Sequence, residues 1–112
     1  MITPRLVGTI AVLDVQGALE GGVGDPGLRT AIRLALDNGA RTILVNLQGV
    51  TVIDSSGVSQ LASAHLTATN SGGHLKFCNL SRKLKEVFIV TRLNTVFDAY
   101  DTEADAIASA NG

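Results

Sequence analysis

The residues of this 112-residue chain best placed to do chemistry are consecutive. Val50-Thr51-Val52-Ile53-Asp54-Ser55-Ser56-Gly57-Val58 runs an apolar strand out into Asp-Ser-Ser-Gly, and a helical pattern begins at once. Backbone N–H groups in the first turn of a helix lack intrahelical partners and stand at the positive end of its dipole, so an anion is favoured there. A phosphate on Ser55 would occupy that mouth and bring about −1.5 to −2 charge at pH 7. Ser56 is the second-choice acceptor. Asp54 or Ser55 also suits the N-cap, a role that coexists with modification. Gly57 is expected to leave the approach to the backbone open.

Ser55 does not read as a catalytic nucleophile. It would need a base within hydrogen-bond reach, and the only histidines are His65 and His74. His65 lies ten residues along the same helix, about 15 Å away at 1.5 Å per residue, and His74 opens the following strand at the opposite edge of the sheet. No Cys, His or carboxylate set has metal-ligand spacing, so neither a catalytic residue, a metal nor a cofactor is expected.

Between Asp54 and Lys76 there is no Asp, Glu, Lys or Arg. A helix face of Ser56, Ser59, Gln60, Ser63 and Thr67 desolvates at lower cost than one of Lys and Glu, which suits a docking surface; burial within the domain or against a second copy is the competing explanation. Arg82, Lys83 and Lys85 fall in the first turn of a later helix, where positive charge opposes the dipole. They are expected on the same sheet edge as Ser55, facing an acidic partner or a phosphate, or as an ordinary solvated cluster. Gly22-Val23-Gly24-Asp25-Pro26-Gly27 spells G-x-G-x-x-G, but the position about 20 residues on, where a ribose-binding acid belongs, reads Asn46-Leu47-Gln48. Pro26 also lacks the N–H that a pyrophosphate would use.

These residues must be positioned by alternating elements. Ile2 to Val7 and Ile10 to Gln16 read as strands joined at Gly8-Thr9, with Pro4 marking the first as an edge. Asp25-Pro26 starts a helix with Leu28, Ala31, Ile32, Ala35 and Leu36 inward, Arg29 and Arg33 outward and Asn38-Gly39 as the stop. Thr42 to Leu47 reads as a central strand. A helix follows from Gly57 to about Asn70 with a stripe of Val58, Leu61, Ala62 and Leu66. Then come a strand from Leu75 to Leu80, a helix begun by Ser81 with Leu84, Val87 and Phe88 inward, a strand from Thr95 to Ala99, and a helix from Thr102 to Ala110. The predicted fold is α/β: one domain over residues 1–112, about five strands in a mixed, mostly parallel sheet with an antiparallel N-terminal edge strand, and about four helices.

Composition agrees with this. The chain is 46% hydrophobic, and a domain of this length buries roughly two-thirds of its unfolded surface. The lone Cys78 has no internal disulfide partner and reads as a packing residue in a reducing, cytoplasmic setting. No run approaches the roughly 18 apolar residues of a membrane span. A net charge of −1 and 4% aromatics argue against nucleic-acid and membrane partners.

The Asp54-Ser55-Ser56-Gly57 segment resembles the signature of STAS domains, in particular the anti-sigma factor antagonists of bacterial partner-switching systems. Gly17-Ala18-Leu19-Glu20 after the second strand, Ile43-Leu44-Val45-Asn46-Leu47 before the signature and Ser71-Gly72-Gly73-His74-Leu75 after the helix extend the likeness over nearly the whole chain. One departure is Glu20, where these antagonists usually carry Asp, followed by Gly21-Gly22-Val23-Gly24. The resemblance implies a non-enzymatic phosphoprotein. Its first serine, Ser55, would be phosphorylated by an anti-sigma factor serine kinase and reset by a serine phosphatase of the metal-dependent class. The partner-binding residues are expected to be Glu20, Asp54, Ser55, Ser56, Gly57, Ser59, Gln60, Ser63, Arg82 and Lys83. The alternative is a non-catalytic STAS scaffold or an accessory subunit of a sensory complex or transporter.

Overall fold

The structure, a computed structural model, describes residues 2–19 and 27–111. Five strands form one sheet in sequential order β1-β2-β3-β4-β5: β1 (Ile2–Val7), β2 (Ile10–Leu19), β3 (Thr42–Ile53), β4 (His74–Cys78) and β5 (Asp98–Tyr100). β1 pairs antiparallel with β2 through a two-residue turn at which Gly8 takes a positive φ, and the remaining pairs are parallel. The helices are α1 (Gly27–Asp37), α2 (Ser55–Asn70), α3 (Arg82–Val90) and α4 (Glu103–Asn111). Pro4 sits on the edge strand as expected, where a missing N–H costs no ladder bond.

Strand alternation divides the apolar residues between two faces. Ala11, Leu13, Val15, Ile43, Val45, Leu47, Leu75 and Phe77 meet Leu28 and Ile32 of α1, Leu61, Ala64 and Ala68 of α2, and Leu84 and Phe88 of α3. Phe77, Phe88 and Phe97 stack at tilted and edge-on angles with centroids 4.8–6.2 Å apart, and the His65 ring lies 5.5 Å from Phe97. Among the described residues the opposite face is covered by α4: Ile10, Val12, Leu44 and Cys78 pack on Ala106, with Ile107 and Ala110 beside it. Arg5, on β1, joins both Asp14 and Glu103 of α4 on that face. Cys78 is buried, and its burial pushes the thiol up to about 12.

Several boundaries differ from the sequence expectation. β2 does not stop at Gln16. Gly17-Ala18-Leu19 continue it, because β3 also continues past Leu47 and the two extensions pair as Gly17↔Val50, Ala18↔Val52 and Leu19↔Ile53. Two register shifts bend this extension, and Gly49 permits the tight approach there: a Cβ on it would lie 2.8 Å from Gln16 Cγ and 2.9 Å from the Val15 carbonyl oxygen. β4 ends at Cys78 rather than Leu80, since Asn79 turns left-handed. A 3₁₀ turn at Leu93–Thr95, entered through left-handed Arg92, displaces β5 to Asp98–Tyr100. α4 begins one residue late because Thr102 caps it, its hydroxyl accepting from the Asp105 N–H at 3.1 Å. The Asp25-Pro26 start of α1 lies outside the described residues.

The stripe of α2 also differs. Its buried seam is Gly57, Leu61, Ala64 and Ala68; Val58 and Ala62 are half-buried, and Leu66 is 58% exposed. Small side chains at three of the four seam positions let the helix lie close to the sheet. This selects a neighbouring helical face over the one marked by the larger apolar residues.

Candidate functional site

α2 begins two residues earlier than its pattern suggested. Asp54 is the N-cap: its extended backbone lets Oδ1 accept from the Gly57 N–H at 2.7 Å, while its carbonyl accepts from the Val58 N–H at 3.0 Å. Ser55 and Ser56 therefore occupy the first two helical positions. Both are exposed, and neither hydroxyl has a hydrogen-bond partner among the described residues.

The mouth of this helix is anchored to β2. The Asp54 N–H donates to the Leu19 carbonyl at 3.4 Å. A Cβ on Gly57 would lie 1.8 Å from that same carbonyl oxygen and 2.8 Å from its carbon. Gly57 is buried, and the missing side chain admits the end of β2 from inside the domain rather than opening the backbone outward. The sequence offered no sign of the Leu19 carbonyl as its counterpart, since the contact depends on the β2 extension.

Ser59 and Ser63 are exposed, and Gln60 is half-buried. Ser59 donates its hydroxyl to the Ser55 carbonyl at 3.1 Å, and Thr67 and Thr69 fold back on the preceding turn in the same way. Among the described residues the exposed face around the mouth therefore comprises Asp54, Ser55, Ser56, Ser59 and Ser63, with Asp54 as its one formal charge. Glu20 lies outside the described residues.

Arg82 and Lys83 are exposed at the start of α3, which Ser81 caps by accepting from the Leu84 N–H at 3.1 Å. The third member of the basic group, Lys85, is engaged by Asp101 at 2.7 Å, which holds the Asp101 carboxyl below its usual range. α2 and α3 start on the same edge of the sheet, as expected. They are staggered, however: Ser55 follows Asn46, the last β3 residue paired with β4, by nine residues, whereas Ser81 follows its partner Cys78 by three.

His65 turns inward against Phe97, and its buried Nδ1 has no hydrogen-bond partner among the described residues. His74 opens β4 at the far edge of the sheet, its N–H donating to the Arg41 carbonyl at 2.8 Å. Among the described residues no group of three or more His, Cys, Asp or Glu is placed to hold a metal ion, and no helix is long and apolar enough to cross a membrane.

The sheet, covered by α1, α2 and α3 on one face and by α4 on the other, carries an exposed hydroxyl pair at the mouth of α2. The family model of the STAS domain matches residues 2–106, and the chain belongs to that family. Among solved structures, an anti-sigma factor antagonist from Mycobacterium paratuberculosis superposes with a TM-score of 0.82 at 19% identity, covering 100% of this chain and 94% of that one. The phosphorylated form of the Bacillus cell fate determinant SpoIIAA gives 0.71 at 24% identity, covering 98% and 99%. A sulfate transporter family protein from Wolinella succinogenes gives 0.81 at 17% identity, covering 96% and 88%. At these identities the likeness is one of fold. A search of curated proteins finds no significant match.

Proposed function

We infer that this STAS domain is an anti-sigma factor antagonist whose docking is controlled at Ser55. Unphosphorylated, it binds an anti-sigma factor serine kinase through the mouth and exposed face of α2, and a sigma factor is released. The kinase supplies nucleotide, metal and base, and this chain supplies the hydroxyl. Phosphorylation ends the association, and a serine phosphatase restores it.

The observation that carries this reading is the exposed Ser55 hydroxyl, without a hydrogen-bond partner among the described residues, on a helix mouth pinned to β2. A phosphate there adds about −1.5 to −2 charge next to Asp54. The Asp54 carboxylate already occupies the Gly57 N–H, so the new charge is added beside an existing one. Uncompensated like charges across an interface cost several kcal/mol, and each 1.4 kcal/mol is about tenfold in affinity. The anchored mouth needs no remodelling for this effect, because the contact is lost by repulsion at the surface.

The test is a pull-down with wild type, Ser55→Ala and Ser55→Asp as baits, followed by phosphosite mapping. The Ala form should retain the kinase and the Asp form should lose it, with phosphate on Ser55. Phosphate confined to Ser56 would move the switch by one residue. Stable association with transporter or sensory-scaffold subunits, indifferent to Ser55→Asp, would replace the switch by a scaffold role.

A further inference from the structure

At the other end of α2 lies a second, unrelated feature. Three of the chain's nine basic side chains line one cleft of about 530 Å³ between α1 and α2: Arg29 and Arg33 on α1, and Arg41 in the turn before β3. Asn70 and Ser71, at the C-terminal end of α2, complete it, and among the described residues Asp37 is the only carboxylate on its wall.

Among the described residues these arginines have no ion-pair partner, although Asp37 stands four residues after Arg33 on α1. Arg29 and Arg33 are four residues apart on one helix, a like-charged arrangement that is unfavourable by itself, and Arg29 also sits in the first described turn of α1, against the dipole. α2, which packs on α1, carries no charged residue from Ser55 to Asn70 and offers no counter-ion. Among the described residues none of the three arginines makes a salt bridge or hydrogen bond, and Asp37 makes none with them. Arg5, Lys76 and Lys85 are all paired with carboxylates. The Asn70 amide and the Ser71 hydroxyl likewise have no partner among the described residues.

We propose that this cleft binds a compact polyanion carrying two or more phosphate groups. Guanidinium forks match phosphate oxygens in pairs, and the neighbouring amide and hydroxyl add neutral donors. The volume falls in the range of roughly 300–1,000 Å³ typical of small-ligand sites, and the concave shape between two helices suits a small molecule better than a protein surface. Ser71 lies about 24 Å along α2 from Ser55 at 1.5 Å per residue, so the cleft and the proposed phosphoacceptor are separate sites.

Isothermal titration of the purified chain with sodium tripolyphosphate at fixed ionic strength tests the assignment, with poly-glutamate as a second ligand. Wild type should bind tripolyphosphate saturably at one site, with amide shifts at Asn70 and Ser71 in NMR spectra. The double variant Arg33→Gln, Arg41→Gln should bind at least about tenfold more weakly, as loss of a charge-assisted hydrogen bond implies, and retain its far-UV circular dichroism. Arg41→Lys, which keeps the charge and loses the fork, should fall between. The control Arg92→Gln, an exposed arginine elsewhere, should bind as wild type does. Absence of saturable binding, an equal loss in Arg92→Gln, or preference for poly-glutamate over tripolyphosphate would overturn the proposal, the last in favour of an acidic protein partner.

Discussion

Replacing Gly57 by alanine sets two opposing effects against each other at the root of the proposed site. Alanine is the better helix former by about 1 kcal/mol, which by itself predicts stabilisation. The added Cβ, however, would lie 1.8 Å from the Leu19 carbonyl oxygen, 2.8 Å from its carbon and 3.0 Å from Ile53 Cγ1. Two of those three atoms are backbone within a paired strand, so no rotamer change relieves the clash. α2 must back away from β2 or the β2 extension must move. Overpacking of this kind costs about 3 kcal/mol, at the upper end of the usual range, and outweighs propensity to leave a net loss of about 2 kcal/mol. That is a large share of the roughly 5–15 kcal/mol that holds a domain together, and at about 4 °C per kcal/mol it lowers Tm by about 8 °C. Urea unfolding followed by far-UV circular dichroism measures it: the midpoint should fall with the slope unchanged. A variant as stable as wild type, or more stable, would show that the Leu19 contact does not constrain the helix mouth and would remove the physical basis of the anchored site.

Asp54→Ala should cost about 1 kcal/mol through loss of the cap to the Gly57 N–H, with Asp54→Asn recovering most of it, again by urea midpoint. The Arg5 hydrogen bond holds the Asp14 carboxyl below its usual 3.8, with help from Asn46. Because the folded value is depressed, the contribution is present above about 3.8 and is lost as pH falls through the lower folded value. Between about pH 6 and about pH 2.5 the wild-type urea midpoint should therefore drop farther than that of Asp14→Asn. An equal drop would mean that this pair does not couple to folding. Cys78, buried and with its thiol pushed up to about 12, should resist a maleimide in the native protein and react on unfolding; prompt native labelling counted by mass would contradict its placement.

Where one residue type carried a local rule, the sequence read through to the structure. Pro4 marked an edge, Ser81 a cap, and the alternation of strand and helix a mostly parallel sheet. The signature around Ser55 was legible because strand, turn and helix are adjacent in sequence there. What stayed hidden depended on distant partners. The continuation of β2 through Leu19 exists because β3 continues too, and nothing in Gly17-Ala18-Leu19 declares that pairing. Gly57 looked like an opening to the outside until the Leu19 carbonyl was found behind it. The seam of α2 was misread because Leu66 is larger than Ala64 and Ala68, yet close packing favoured the smaller pair. Asn70 and Ser71 join Arg29, Arg33 and Arg41 only through the docking of α1 on α2, which no local pattern encodes.

The strand order runs 1-2-3-4-5, each strand beside its chain neighbour, and this bears on how the molecule assembles. A chain emerging from the ribosome can lay down the opening hairpin and then widen the sheet one strand at a time, with no earlier strand parted to admit a later one. Low sequence separation of this kind speeds folding and shortens the exposure of sticky intermediates. The exception is α4, which shields Ile10, Val12 and Leu44 and links back to Arg5 across 98 positions. Until it docks, that side of the sheet lacks its helix, so the farthest contact in sequence is also the one that closes the second face.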